Sequence, residues 1–271
     1  MDRSADRYAV FGNPVAHSVS PQLHAAFAAQ TGQHLHYEKC EIAPKDFAAA
    51  VDSFFAGGGK GLNITLPFKG DACTCAERLT VRARDARAVN TLWPDVDHTL
   101  VGDNTDGVGF IRDLTVNHRF SVTGKTILLL GAGGAARGVL GPLLEQRPAR
   151  LHIANRTASR AIKLASLYGE NITSGGLKHW PDMRFDLVVN ATAAGHAGAV
   201  AVPPPERLAG KWAGYDLSYG AAAEPFLDWA RSHNAAFALD GWGMLLEQAA
   251  ESFYLWRGVR PNTTAMLNKQ P

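Results

Sequence analysis

No stretch of this chain is long and apolar enough to cross a bilayer, which excludes an integral helical membrane protein. Charge of one sign is also lacking. Twenty-seven basic residues against 25 acidic ones leave a net charge of +2 without any basic block, which argues against a nucleic-acid binder. Cysteine is scarce and odd in number. Cys40, Cys73 and Cys75 read as plain thiols of a reducing compartment, and a cytoplasmic location is expected. Cys73-Thr74-Cys75 has neither the spacing nor the partners of a zinc site, so no metal is expected. The charged start, Met1 to Arg7, runs straight into a strand pattern and does not read as a signal peptide. Repeats and low-complexity tracts are missing, and the one proline run, Val202 to Pro205, reads as a surface loop. What is left is an ordinary globular composition over 271 residues, 46% hydrophobic and 19% charged, enough for one large or two modest domains.

The most informative segment is Thr126-Ile127-Leu128-Leu129-Leu130-Gly131-Ala132-Gly133-Gly134-Ala135-Ala136-Arg137-Gly138. An apolar run breaks into glycines and then into helix-forming residues, the strand–turn–helix of a dinucleotide site. Gly131 allows the tight turn, Gly133 lets a pyrophosphate approach the backbone, and Ala136 fills the third small position. The helix start offers free N–H groups to phosphates. A second strand, Leu151 to Ala154, closes the βαβ unit. It leads into Asn155-Arg156-Thr157-Ala158-Ser159-Arg160, without the carboxylate that an NAD ribose prefers. Arg156 and Arg160 have the guanidinium geometry for a 2′-phosphate, and cations at a helix start are otherwise disfavoured. Thr157 adds a hydroxyl or caps the next helix. The pattern favours NADP over NAD.

From Thr126 onward strands alternate with helices: Thr126–Leu130, Leu151–Ala154, Phe185–Asn190, Gly214–Leu217 and Ala236–Leu239, which implies a parallel sheet. The preceding 120 or so residues are also α/β. Strands are predicted at Tyr8–Phe11, Leu35–Ile42 and Gly61–Thr65, and a hairpin over Val89–Trp93 and His98–Gly102. Ser20 is predicted to cap a helix opening at Pro21, and Phe47, Val51, Phe54 and Phe55 mark another. A tail helix, Trp242–Trp256, follows a plausible hinge at Asp240-Gly241, and a shorter helix follows Pro261. The fold class is two α/β domains. The second, 106–240, is a Rossmann-type doubly wound parallel sheet. The first, 1–105 with 241–271, is a smaller α/β substrate domain completed by the C-terminal helices.

Four polar stretches of the first half carry more hydrogen-bonding side chains at strand ends than packing needs. They are Gly12 to Pro21, Asn63 to Lys69, Ala88 to Leu92 and Gly102 to Gly107. Together with the glycine loop, these stretches make the chain resemble the NADPH-dependent shikimate dehydrogenase family over nearly its whole length. The resemblance rests on Ser18-Val19-Ser20-Pro21, the NxTxPxK element from Asn63 to Lys69, Gly102-Asp103-Asn104-Thr105-Asp106-Gly107, the glycine loop, Asn155-Arg156-Thr157 with Arg160, and Asp240 to Ala250. It implies reduction of 3-dehydroshikimate with NADP(H), and two domains with a cleft that opens and closes. It also implies small-molecule partners only, as a monomer or homodimer. Lys69 and Asp106 would be the catalytic pair. Ser18 and Ser20 would hold a carboxylate, and Thr65, Asn90, Tyr219 and Gln248 would complete the substrate site. Gly131, Ala132, Gly133, Gly134, Ala135, Asn155, Arg156, Thr157, Arg160, Thr192, Leu217 and Gly241 would bind the cofactor. Two departures fall near the expected nicotinamide edge: Ala193 where the family often has Ser, and Glu224 where Thr is common.

Ketone reduction needs a hydride on carbon and a proton on oxygen. A lysine ammonium beside the carbonyl can stabilise the developing alkoxide and protonate it, and a neighbouring aspartate can orient that lysine. Read singly, these residues also have plainer roles. Asp106 and Ser20 suit helix caps, Lys69 a solvated helix start, Gln248 an interhelix amide and His17 a loop. Three rival readings compete. They are a quinate-oxidising relative, a folate-linked methylene dehydrogenase of similar plan, and a catalytically dead NADP sensor. The Ser18/Ser20 pair and the segment 102–107 oppose the second, and the presence of Lys69 and Asp106 opposes the third.

Overall fold

The computed structural model describes residues 5–169, 172–192 and 201–269. The chain divides into two compact units, Met1–Gly109 with Leu246–Pro271, and Phe110–Leu245.

The first unit holds β1 (Asp6–Gly12), α1 (Ser20–Thr31), β2 (Leu35–Glu41), α2 (Phe47–Ala56), β3 (Gly61–Ile64), α3 (Ala72–Cys75), β4 (Arg78–Leu79), α4 (Val81–Ala86), β5 (Thr91–Pro94) and β6 (Leu100–Asp103). Its six-stranded sheet runs β2-β1-β3-β5-β6-β4. It is mixed: β1 pairs in parallel with β2 and β3, while β3–β5 and β5–β6 are antiparallel. Alternation along β1 splits its side chains between two cores. Ala9 and Phe11 join Leu62, Ile64 and Leu92, while Tyr8 and Val10 join Tyr37 on the other face. That second face is covered by His24 and Phe27 of α1 and by Phe253 and Trp256, whose rings pack on one another.

The second unit begins inside α5 (Asp106–Arg112), which passes into a π-helical turn, Asp113–Asn117. There follow β7 (Thr126–Leu130), α6 (Gly134–Glu145), β8 (Arg150–Ala154), α7 (Ala158–Ala165), β9 (Ile172–Gly175), β10 (Phe185–Asn190), β11 (Leu208–Asp216), α8 (Glu224–Ser232) and β12 (Phe237–Leu239). All five strand pairs are parallel, in the order β12-β11-β10-β7-β8-β9. This is the doubly wound order, with its topological switch between β7 and β10. The apolar run of β7 follows from burial on both faces. Ile127 and Leu129 pack into one core, Leu128 and Leu130 into the other.

The chain returns to the first unit inside α9 (Trp242–Arg257), which α10 (Thr264–Leu267) follows. The C-terminal half of α9 is anchored there by charge. Arg82 bridges buried Asp103 at 2.6 Å and Glu251 at 3.1 Å. No helix among the described residues is long and apolar enough to cross a membrane.

Several expectations need correction. β4, α3 and α4 are too short to leave a hydrophobic period, and β9 reads Ile-Thr-Ser-Gly instead of an apolar run. β11 starts at Leu208, six residues before the predicted Gly214, because Leu208-Ala209-Gly210-Lys211 gives no alternating or continuous apolar signal. At the expected hinge, Asp240 accepts from the N–H groups of Trp242 (3.1 Å) and Gly220 (3.1 Å), and Gly241 donates to Ser218 (2.8 Å), bonds that leave the hinge expectation as it stood. Ser20 is the first residue of α1, with Val19 in the cap position, and it makes no capping bond.

Two buried histidines make the fold acid-sensitive. His24 is fully buried, and neither ring nitrogen makes a hydrogen bond of good geometry among the described residues. The ring lies 4.3 Å from Tyr37 in a parallel stack, and burial, outweighing an opposing effect of Asn63, pushes its pKa down to about 3. His152, in β8, is lowered to about 4 by the same cause. A depressed histidine value favours the neutral ring in the fold. The stabilisation is complete above the ordinary value of 6.5 and is lost as pH falls toward 3. Asp216, raised to about 6 by burial, has the opposite sign. His24→Phe isolates the first effect. The stability difference between wild type and variant, from urea unfolding, should change by roughly 1.4 kcal/mol per pH unit across that window. A difference that does not vary with pH would contradict a neutral buried ring.

Candidate active site

In the first unit the functional side chains sit where strands end. After β1 a turn closes with the Ser18 N–H on the Val15 carbonyl at 3.0 Å. Ser18 Oγ then accepts from the Ser20 N–H at 3.3 Å and donates to Ser20 Oγ at 3.1 Å. Ser18 thus does the local turn work expected of Ser20. Both serines are half-buried, and the Ser20 proton is unspent on Ser18.

Following β3, Thr65 donates its N–H to the Phe11 carbonyl at 2.9 Å, and its hydroxyl has no partner among the described residues. Four residues on, the Lys69 carbonyl accepts from Val89 N at 2.8 Å, so the backbone of Lys69 is pinned to the segment that carries Asn90. Lys69 Nζ donates to Asp106 Oδ2 at 2.6 Å. The side chains are 28% and 12% exposed, and the ammonium has no other partner among the described residues. Asn90 Nδ2 donates to the second carboxylate oxygen, Oδ1, at 2.8 Å. It also faces Thr105 Oγ1 at 2.9 Å and Gln248 Oε1 at 3.3 Å. Asn104 Oδ1 accepts from the Asp106 N–H at 3.1 Å. Asp106 is therefore the first residue of α5 and not its cap. Its carboxylate is engaged with Lys69 and Asn90, while Asn104 performs the capping. The structure thus brings Lys69, Asp106, Asn90 and Gln248 into one cluster.

In the second unit the glycine loop joins β7 to α6. Gly131 has φ +107°, and a Cβ there would lie 2.8 Å from the Ala191 carbonyl, so turn and packing both demand glycine. Gly133 and Gly134 differ. A Cβ on either would meet nothing within 4 Å. No contact with the described residues requires their small size, and both are exposed with Ala135 at the N-terminus of α6, while Ala132 is buried. An open cradle at the positive end of a twelve-residue helix fits a pyrophosphate. After β8, Asn155 Nδ2 closes the turn onto the Thr157 carbonyl at 2.9 Å. Thr157 occupies the cap position of α7 without a side-chain capping bond, which leaves its hydroxyl available. Arg156 and Arg160 are exposed, and neither enters an ion pair among the described residues.

The ends of β10 and β11 form a buried polar knot. Asn190 Nδ2 donates to Asp216 Oδ2 at 2.6 Å, and Asp216 Oδ1 accepts from Ser218 N at 2.8 Å. Asn190 Oδ1 receives both the N–H and the hydroxyl of Thr192, at 3.2 and 2.7 Å. Leu217 N–H donates to the Asn190 carbonyl at 2.9 Å. A Cβ on Gly241 would come within 2.4 Å of the Leu217 carbonyl, so its size is explained by packing inside the protein. Tyr219 is 38% exposed beside Trp242, and partial burial raises its phenol above the ordinary value. Ala193 lies outside the described residues. Sequence reasoning assigned no role of their own to Asn190 and Asp216, which organise this knot, to Thr105, which touches Asn90 and Gln248, or to Ser252, which touches Thr105 and Gln248. Asp216 looks like an ordinary strand-end residue in sequence, and Ser252 lies on a helix face that otherwise reads as packing.

Comparison with known proteins is consistent along the chain. Family models match for the shikimate dehydrogenase substrate-binding domain at residues 10–92, for shikimate/quinate 5-dehydrogenase at 115–198, and for the shikimate 5'-dehydrogenase C-terminal domain at 241–269. The shikimate dehydrogenase (NADP(+)) of Janthinobacterium sp. (strain Marseille) is 51% identical over 275 residues, covering 99% of this chain and 98% of that one. The structure of an Ael1 enzyme from Pseudomonas putida superposes with TM-score 0.91 at 42% identity, covering 98% of each chain. That of the Thermus thermophilus shikimate 5-dehydrogenase, in complex with NADP(H) and shikimate, gives TM-score 0.83 at 31% identity over 97% of each.

The contrast between the two kinds of glycine yields a test. Gly131→Ala should lower the melting temperature, because a side chain is strained at that φ and collides with Ala191. Gly133→Val should melt near wild type yet bind NADP at least about tenfold more weakly by fluorescence titration. Unchanged NADP affinity in Gly133→Val would show that the cradle is not the pyrophosphate site.

Proposed function

This chain belongs to the shikimate dehydrogenase family, and we propose that it catalyses the reversible NADPH-dependent reduction of 3-dehydroshikimate to shikimate, with Lys69 and Asp106 as the catalytic pair. The observation that carries this reading is the 2.6 Å contact between the Lys69 ammonium and the Asp106 carboxylate, with Asn90 on the other oxygen. NADPH, when bound, supplies the hydride.

The residues of the chain do the rest. Ser18 and Ser20 hold the substrate carboxylate. Thr65, Asn90 and Gln248 bind its oxygens, with Tyr219 completing the site. Lys69 retains N–H donors beyond the one given to Asp106. It places one on the carbonyl oxygen, stabilises the alkoxide as it forms, and transfers a proton to it. In oxidation Lys69 takes that proton back. Asp106 orients the ammonium and keeps it charged, and is itself held by two donors. Gly131, Ala132, Gly133, Gly134 and Ala135 cradle the pyrophosphate, and Asn155, Arg156, Thr157 and Arg160 hold the 2′-phosphate end. Thr192, Leu217 and Gly241 border the nicotinamide, Gly241 through the support it gives the Leu217 backbone. A cytoplasmic location and a monomeric or homodimeric state belong to the same proposal. The location draws support from three cysteines that are all free thiols.

Oxidation of shikimate and quinate with NADP and with NAD, followed at the nicotinamide absorbance, should show shikimate with NADP as the best pair. Arg156→Ala should raise the KM for NADP while hardly changing that for NAD, and equal effects would refute the 2′-phosphate assignment. Lys69→Ala should lower kcat by about 10²–10⁴-fold with little change in cofactor affinity. Asp106→Asn should also lower kcat, and the double variant should lose much less than the product of the two single losses. If Lys69→Ala kept kcat and raised only the shikimate KM, the proton would have to come from elsewhere.

A further inference from the structure

The Lys69–Asp106 pair is the visible end of a longer buried chain of hydrogen bonds within the first unit. Two of its links have fixed polarity. Asn63 Nδ2 faces the Asn90 carbonyl at 3.1 Å, a group that can only accept, so Asn63 Oδ1 must be the atom facing Tyr37 Oη at 2.7 Å. Asn90 Oδ1 faces the Thr105 N–H at 2.9 Å, a group that can only donate, so Asn90 Nδ2 must be the atom facing Asp106. Between these fixed amides lie two hydroxyls. Ser252 Oγ is 3.1 Å from Asn63 Nδ2 and 2.8 Å from Thr91 Oγ1, and Thr91 Oγ1 is 2.9 Å from Asn90 Oδ1.

Proton counting orders the chain. Asn63 donates to Ser252. Asn90 Oδ1 can only accept, so Thr91 spends its one proton there. Ser252 has one proton and two acceptors in reach, Thr91 Oγ1 at 2.8 Å and the Gln248 carbonyl at 3.1 Å; with the Thr91 proton spent on Asn90, the shorter contact is made when Ser252 donates to Thr91. With the Ser252 proton on Thr91, the series runs from the Tyr37 hydroxyl to Asn63, Ser252, Thr91, Asn90 and Asp106, every donor pointing the same way, and Lys69 closes it from the other side. Such a unidirectional chain is cooperative, each bond polarising the next, and its members are buried where that effect is strongest.

We propose that Ser252, with Thr91, Asn63 and Tyr37, acts as a positioning relay that fixes the Asn90 amide against Asp106 and thereby sets the catalytic geometry of Lys69. This rests on the Lys69/Asp106 reading above. Ser252 touches neither substrate nor cofactor in this reading. Its hydroxyl lies one helical turn from Gln248, whose carbonyl, at 3.1 Å, is the competing acceptor for its proton.

The test compares Ser252→Ala and Thr91→Val, which remove a hydroxyl with little change of shape, with Thr91→Ser, which keeps it. All are measured as steady-state kcat and KM, as the pH profile of kcat, and as melting temperature. Ser252→Ala and Thr91→Val should each lower kcat about five- to tenfold, the loss expected from one neutral hydrogen bond. KM for NADP should be unchanged, the pH profile should be displaced, and Thr91→Ser should restore both. In an Asp106→Asn background Ser252→Ala should cost almost nothing further in kcat, because the relay acts through that carboxylate. If Ser252→Ala and Thr91→Val lower only the melting temperature, or add their full kcat loss in the Asp106→Asn background, the relay is refuted. Lys69→Ala serves as the control that separates the two ideas: if it keeps wild-type kcat, the catalytic-pair reading fails first.

Discussion

A carboxylate that is nearly buried must have its lone pairs satisfied, or the fold loses several kcal/mol in desolvation. Asp106, with a side chain 12% exposed, meets that demand with an ammonium on one oxygen and an amide on the other. Much of the first unit follows from supplying those two partners. Lys69 is delivered by the turn after β3, whose backbone is tied to Val89, and Asn90 by the residue next along the chain. Asn104 relieves Asp106 of capping duty, so that the carboxylate can turn to the pair. α9 brings Gln248 and Ser252 to the same cluster, and the charged bridge from Arg82 to Asp103 and Glu251 holds that part of the helix in place.

The second unit answers a different constraint. A parallel sheet covered on both faces leaves polar backbone groups free only at its strand ends. The ends of β7, β8, β10 and β11 are accordingly where side chains stop packing and start hydrogen bonding. Gly131 is shaped by the protein itself, since its left-handed turn and its approach to Ala191 admit no side chain. Gly133 and Gly134 are shaped by nothing among the described residues. That difference separates glycines needed by the fold from glycines that leave room for a ligand.

The parts of this arrangement that were legible in sequence are those written in contiguous residues. The run Thr126 to Gly138 gives strand, turn and helix start together, and the switch from periodic to polar residues marks most strand ends. Roles that depend on distant residues were not legible. Asp106 and Ser20 each sit where a helix begins, and in sequence a helix-start Asp or Ser reads as a cap. Only the position of Lys69, 37 residues away, shows that the Asp106 carboxylate is committed elsewhere. Ser18, and not Ser20, makes the local turn bond. Ser252 lies 189 residues from Asn63, and no local pattern could join them. The short elements β4, α3 and α4 escaped because two to six residues cannot show a period, and their stability comes from the sheet beside them.

A folded chain spends nearly all its buried hydrogen-bonding capacity on itself, so the donors it leaves unspent describe what it expects to meet. Around the Lys69–Asp106 pair of the first unit, and among the described residues, these include the Thr65 hydroxyl and the remaining N–H groups of Lys69. In the second they are the helix-start N–H groups at Gly133 to Ala135, the Thr157 hydroxyl and two guanidinium groups outside any ion pair among the described residues. Every one is a donor, and each set asks for a ligand rich in oxygen or negative charge. Thr192 is the informative contrast, because its hydroxyl proton is already given to Asn190. Toward a ligand that oxygen can therefore act only as an acceptor. A group facing it must bring its own N–H or O–H, which distinguishes the strand-end knot around Asn190 and Asp216 from the phosphate-binding end of the same sheet.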